Sequence, residues 1–176
     1  NPNAKWASPA VVVRKPDGSF RMVVDFRKVN SMSIGTTWPM PQLEAIISRL
    51  RGSRFWFILD AFKGFWLMPL SEACREMMSF MTDIGVYTPT RSMQGATNSA
   101  SQFQARMGMI FEDMLWDQII VWIDDVLGHS SSLDGWFTIL ERTLTRCEQH
   151  RLKLNALKCN LFTPEVDFCG RIFSAD

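Results

Sequence analysis

The chain has little with which to staple itself or to hold a soft metal. Its four cysteines, Cys74, Cys147, Cys159 and Cys169, form no Cys-x-x-Cys pair, and only His129 and His150 could join them. That excludes the usual zinc spacings and reads as reduced, mostly buried thiols. No apolar run reaches the roughly 18 residues a membrane-spanning helix needs, and the first residues are polar rather than signal-like. A soluble, intracellular protein without a membrane partner is expected. An initiator methionine is missing too: the chain opens on Asn1-Pro2-Asn3, as a piece cut from a longer polypeptide would. Internal repeats, low-complexity tracts and Pro/Ser linkers are absent, so residues 1–176 are expected to form one unit, at most bilobed.

What is present suffices for a core: 47% of the 176 residues are hydrophobic, enough for a compact domain of this size. Net charge is +1, but its distribution is uneven. Between Asn1 and Asn30 lie six basic residues, Lys5, Arg14, Lys15, Arg21, Arg27 and Lys28, against two acids, whereas Phe111 to Gly135 holds six acids and no lysine or arginine. Such a division suits a site that grips phosphate with one part and cations with another.

The acidic centre is Ile119-Ile120-Val121-Trp122-Ile123-Asp124-Asp125-Val126-Leu127-Gly128. Short apolar runs rich in Ile and Val read as buried strands, and two adjacent carboxylates between them repel one another. A strand hairpin with the aspartates at its tip, holding a divalent cation, satisfies the pattern; a solvated turn is the plainer alternative. A third carboxylate has a similar setting. Phe55-Trp56-Phe57-Ile58-Leu59 is apolar throughout, predicts a mid-sheet strand, and delivers Asp60 at its C-terminal end. Three carboxylates at strand ends are what a two-metal phosphoryl-transfer site requires.

The remaining periodicities predict a hairpin from 10–14 and 20–26, turning at Lys15-Pro16-Asp17-Gly18 with Lys15 and Arg21 near its tip. Basic side chains there can grip phosphate, or simply keep an edge strand soluble. Pro39 and Pro41 lead into a helix with Leu43, Ile46, Ile47 and Leu50 on one stripe. A second hairpin is expected from 78–81 and 86–90, followed by the permissive Gln94-Gly95. A helix capped by Asn98 or Ser99 carries Phe103, Met107, Ile110, Phe111 and Met114. Another, capped by Asp134 or a nearby Ser, carries Trp136, Ile139, Leu140, Thr143, Leu144 and Cys147. Short strands at 152–155, 165–168 and 171–173 close the chain. Without a βαβ rhythm, this order predicts an α+β fold: an antiparallel, palm-type sheet with helices packed on one face.

Six ordered blocks make the chain resemble the reverse transcriptases of gypsy-type long-terminal-repeat retroelements, in their fingers and palm portion. They are Trp6 to Pro9; Arg21 to Asn30; Leu59-Asp60; Gln94 to Ser99; Trp122-Ile123-Asp124-Asp125; and Lys158-Cys159 with Phe168-Cys169-Gly170. The resemblance implies an RNA-directed DNA polymerase, a nucleotidyltransferase of retrotransposon origin that adds dNTPs to a primer 3′-hydroxyl on an RNA or DNA template. It places two Mg²⁺, or Mn²⁺ in their stead, on Asp60, Asp124 and Asp125, with Asp60 and Asp124 the more direct ligands. Lys158 would protonate the leaving pyrophosphate. Lys15 and Arg21 would contact nucleotide phosphates, Phe65 would bar a 2′-hydroxyl, and Gln94 and Gly95 would pack on nucleotide and template. Trp122, Phe168, Cys169 and Gly170 would hold the primer end. Residues of roughly 1–50 and 75–95 would be a β-hairpin fingers lobe and the rest palm, with the thumb, connection and ribonuclease H segments supplied by a larger polyprotein. The cytoplasm, a retroelement particle or the nucleus would be its setting. Two departures, Trp122 where the family carries Tyr and Met93 where Pro is common, motivate an alternative: a domesticated, non-catalytic domain that binds nucleic acid or a protein.

Overall fold

The structure, a computed structural model, describes residues 1–39 and 42–174. In chain order the elements are β1 (Ser8–Arg14), β2 (Phe20–Val24), α1 (Arg27–Ser31), α2 (Leu43–Leu50), β3 (Phe55–Asp60) and a 3₁₀ turn (Gly64–Leu67). Then come α3 (Glu72–Met77), β4 (Phe80–Thr82), β5 (Gly85–Tyr87) and α4 (Ser99–Ile110). The last are β6 (Ile119–Trp122), β7 (Asp125–Ser130), α5 (Leu133–Gln149), β8 (Asn160–Thr163), β9 (Glu165–Phe168) and β10 (Arg171–Ser174). The chain forms two compact units, 1–37 with 65–102, and 38–64 with 103–176. Of the residues expected in the fingers, 38, 39 and 42–50 therefore fall in the second unit. The expected helix lead-in at Pro41 and the side chain of Leu43 lie outside the described residues.

The first unit carries a sheet in the order β2-β1-β4-β5. β1 and β2 are antiparallel, with Ala10 opposite Val24 and Arg14 opposite Phe20; β1 runs parallel to β4 through Ser8 and Pro9. Their turn closes as its composition predicts. Lys15 N–H donates to Ser19 O at 2.7 Å, and Gly18 takes φ +82°, a left-handed conformation that glycine adopts at little cost. Val24, Phe26, Val29 and Met93 form the core of this unit, with Trp6, Ala10, Met78, Phe80 and Ala96 packed against it. Helix α3 was not anticipated. It spans fewer than two turns, too few for a 3.6-residue period to declare itself. Met78 N–H closes it on Cys74 O, so the strand expected from Met78 begins at Phe80.

In the second unit the sheet order is β6-β7-β3-β8, antiparallel throughout. β3 is interior, as its unbroken apolar run requires. Side chains alternate across it. On one face Trp56, Ile120 and Leu127 meet Ile46 and Leu50 of α2 and Val166 and Phe168 of β9. On the other, Phe57 meets Trp136 of α5 edge-on at 6.4 Å, and its ring lies where any Cβ on Gly128 would stand. The helices are thus not confined to one face, because every apolar β3 side chain needs a cover. The stripe of α2 is narrower than its spacing suggests: Ile46 is fully buried but Ile47 is 40% exposed. Ser132 caps α5, its Oγ accepting from Gly135 N–H at 3.2 Å, and Asp134 falls in the first turn. Trp136, Ile139, Leu140, Thr143 and Cys147 are buried, whereas Leu144 is largely exposed.

Residues 152–155 form no strand, only a bridge from Leu154 to Ala61. The chain turns immediately afterwards, Lys158 and Cys159 N–H both donating to Asn155 O, and the fourth strand is β8.

Candidate active site

Asp60 ends β3 and Asp125 begins β7, and the two stand directly opposite one another in the antiparallel register. Residues so paired project to the same face with Cβ atoms about 5 Å apart. Trp122 pairs with Asp125, which leaves Ile123 and Asp124 as the two-residue turn of the β6–β7 hairpin. Ile123 has φ +50°, a conformation rare for a β-branched residue. The tip is held from its β3 side by Ala61 N–H, which donates to Asp124 O at 2.8 Å.

The carboxylates feel one another. Burial, then the charges of Asp60 and Asp125, push the Asp124 pKa up to about 6, against a smaller opposing pull from Lys158. Asp125 is raised by burial and by Asp60. Asp124 Oδ1 is buried without a hydrogen-bond partner, in space that exists because Gly64 has no side chain: a Cβ there would collide with it. Lys158 Nζ donates to Asp60 Oδ2 at 3.0 Å, and Cys159 Sγ accepts from Asp60 N–H at 3.4 Å. A hard cation fits this donor chemistry: all oxygen, crowded negative charge and one orphaned oxygen. Among the described residues no three His, Cys, Asp or Glu side chains close a metal cage.

Phe168, Cys169 and Gly170 form the end of β9 and its turn into β10, with Phe168 opposite Arg171. Cys169 and Gly170 take φ +54° and +72°, the pair of left-handed residues that a tight hairpin turn prefers. The Cys169 side chain is exposed overall, yet its thiol is pushed up to about 11 by burial and by the charges of Asp125 and Asp167. The Asp125 contribution is the informative part, since it sets this turn within electrostatic reach of the carboxylates.

Lys15, Arg21, Phe65, Gln94 and Gly95 all belong to the first unit. Arg21 is exposed on β2 opposite Val13, and no salt bridge among the described residues engages it or Lys15. Gly95 has φ +97°. Its loop is braced by Asn30, whose Nδ2 donates to Gly95 O and whose Oδ1 accepts from Thr97 N–H, both at 2.9 Å. Asn98 does not cap α4: it bonds to Ile34 O and Thr36 N–H. Ser99 Oγ turns instead to Met93 O.

Two residues of the second unit escaped the sequence reading. Gly64 carries no periodic signal. Gln104, beside Phe103 on α4, is buried, and its amide bonds to Val121 O and Ile123 N–H. A glutamine next to an apolar stripe reads as ordinary helix surface, so nothing in the spacing marks it.

An antiparallel sheet carrying three carboxylates at one end defines a palm-type domain. The chain belongs to the family described as reverse transcriptase (RNA-dependent DNA polymerase), whose model matches residues 13–173. It is 30% identical to the retrovirus-related Pol polyprotein from transposon 297 of Drosophila melanogaster, over 99% of this chain and 17% of that one. To the corresponding polyprotein from transposon gypsy of the same species it is 28% identical, over 89% of this chain and 15% of the other. It thus spans about a sixth of the length of these relatives. Its fold superimposes on a foamy viral protease-reverse transcriptase in complex with double-stranded DNA. The TM-score is 0.88 at 25% identity, covering 96% of this chain and 30% of that one.

Proposed function

We propose that the chain is the catalytic part of an RNA-directed DNA polymerase. The observation that carries this reading is the convergence of Asp60, Asp124 and Asp125 at one end of the sheet, within a chain of the reverse transcriptase family. In the reaction the primer 3′-oxygen forms a bond to the α-phosphorus of a dNTP, the bond from that phosphorus to the bridging oxygen breaks, and pyrophosphate leaves. Asp60 and Asp124 would hold two divalent cations, with Asp125 adding charge beside them. Such ions, when bound, would lower the pKa of the attacking hydroxyl and neutralise charge on the leaving oxygen.

The chain's own groups do the rest. Lys158, an ammonium beside Asp60, gives its proton to the departing pyrophosphate. Lys15 and Arg21 neutralise nucleotide phosphates, Arg21 through its planar fork. The Phe65 ring fills the space a 2′-hydroxyl needs and so selects dNTPs, and Gln94 and Gly95 present a side-chain amide and open backbone to the nucleotide and template. Trp122 and the Phe168-Cys169-Gly170 turn orient the primer end. The polymerised strand and its template are partners in this reading, together with thumb and ribonuclease H segments of a longer polyprotein.

Single-nucleotide incorporation on an RNA template with a DNA primer tests it. The chain is expected to add a dNTP in preference to the matching NTP, and Phe65→Val to narrow that preference about tenfold or more. Equal use of the two by the parent chain would overturn the substrate assignment.

A further inference from the structure

β6 is the edge strand of its sheet, so the backbone groups on its outer side have no strand to pair with, and a buried edge with unpaired groups is costly. Gln104 supplies what a strand would. Its Nε2 donates to Val121 O at 3.0 Å and its Oε1 accepts from Ile123 N–H at 2.7 Å. A primary amide offers one donor and one acceptor side by side, as a peptide group does, and this one is only 5% exposed. The residue it grips, Ile123, has the left-handed φ of +50°, which persists only where surroundings over-determine it. Asp124 follows immediately, its carbonyl taken by Ala61 N–H at 2.8 Å and its Oδ1 buried without a partner. The tip is therefore clamped on both sides, and only the Gln104 side is a side chain.

We infer that Gln104 is a positioning residue for Asp124: its amide fixes the strained Ile123 peptide and thereby aims the adjacent carboxylate. The inference rests on the proposed role of Asp124 as a cation ligand. Gln104 itself touches no substrate; it acts through the hairpin backbone. Residues that orient metal-binding groups commonly alter metal affinity by about tenfold or more when lost.

The test compares the full chain with Gln104→Met, which keeps volume but loses the amide, Gln104→Glu, which keeps an acceptor for Ile123 N–H, and Ile139→Val on α5 as a core control. Two readouts are taken: hydrogen exchange at the Ile123 amide, and Mn²⁺ binding followed by electron paramagnetic resonance. Gln104→Met is expected to lose Ile123 protection and weaken Mn²⁺ binding about tenfold. Gln104→Glu retains the protection and most of the affinity, and Ile139→Val leaves both unchanged. Lost protection with parental Mn²⁺ affinity would overturn the inference, as would protection that survives in Gln104→Met, or an equal loss of affinity in the Ile139→Val control. Should Gln104→Met not fold, weakened affinity in Gln104→Glu with Ile123 still protected would overturn it too. If Mn²⁺ binding to the parent is absent, or persists in Asp124→Asn, the cation-ligand reading itself fails, and the clamp's purpose with it.

Discussion

His129 illustrates how far single residues can be read. From the sequence it was one of two histidines that could have joined the scattered cysteines at a zinc, a reading their spacing disfavours. In the structure it is buried on β7, its Nδ1 2.9 Å from Ser53 Oγ and its Nε2 without a hydrogen-bond partner. Burial lowers its pKa below the ordinary 6.5, with Asp117 pulling weakly the other way. As pH falls, the unfolded chain binds the proton first. The stability contributed by the neutral ring is therefore full above the unfolded value and is lost as pH falls through it toward the folded one. Urea midpoints measured from about pH 7 to pH 5 are expected to fall more steeply for the parent than for His129→Gln; identical slopes would contradict this. The carboxylates were legible because charge inside an apolar strand pattern is conspicuous. Gln104, Asn30 and Asn98 were not, because an amide on a helix or loop looks the same in sequence whether it faces water or the backbone of another element.

At the scale of elements, period and composition located β1 to β3, β6, β7, β9, β10 and the three longer helices, and they failed where an element was too short to show a period, as in α3. They also failed at 152–155, where the alternation is real but the chain turns before a ladder can grow. Finer still, periodicity treats Ile46 and Ile47 alike, and packing does not. Ile46→Ala removes a fully buried side chain and is expected to cost about 2–5 kcal/mol. Ile47→Ala, at an exposed position of the same helix, is expected to cost under about 1 kcal/mol. Equal losses in urea denaturation would show that the orientation of α2 is wrong. Ser132→Ala removes the cap of α5 and is expected to cost about 1 kcal/mol. Replacing Asp134, a first-turn acid without the capping bond, is expected to cost less.

For the whole molecule, the uneven charge of the sequence is distributed over the two units. The basic residues Lys5, Arg14, Lys15, Arg21, Arg27 and Lys28 all lie in the first, and the acidic stretch from Phe111 to Gly135 in the second. Net charge near zero gives no general affinity for nucleic acid, so on the proposed function binding to template and primer is expected to depend on local phosphate contacts and to weaken steeply with salt. The division into two units was not legible from residue spacing, since each is assembled from two separated stretches of chain. The carboxylate triad Asp60, Asp124 and Asp125 is the centre of the proposed chemistry. Its most direct test is primer extension on an RNA template with dNTPs and Mg²⁺ by the chain and by its Asp124→Asn variant, each also supplied with the segment that follows this region in a related Pol polyprotein. Extension by the parent and its loss in Asp124→Asn is the predicted result; equal extension by both, or none by the parent even with that segment, would contradict the account.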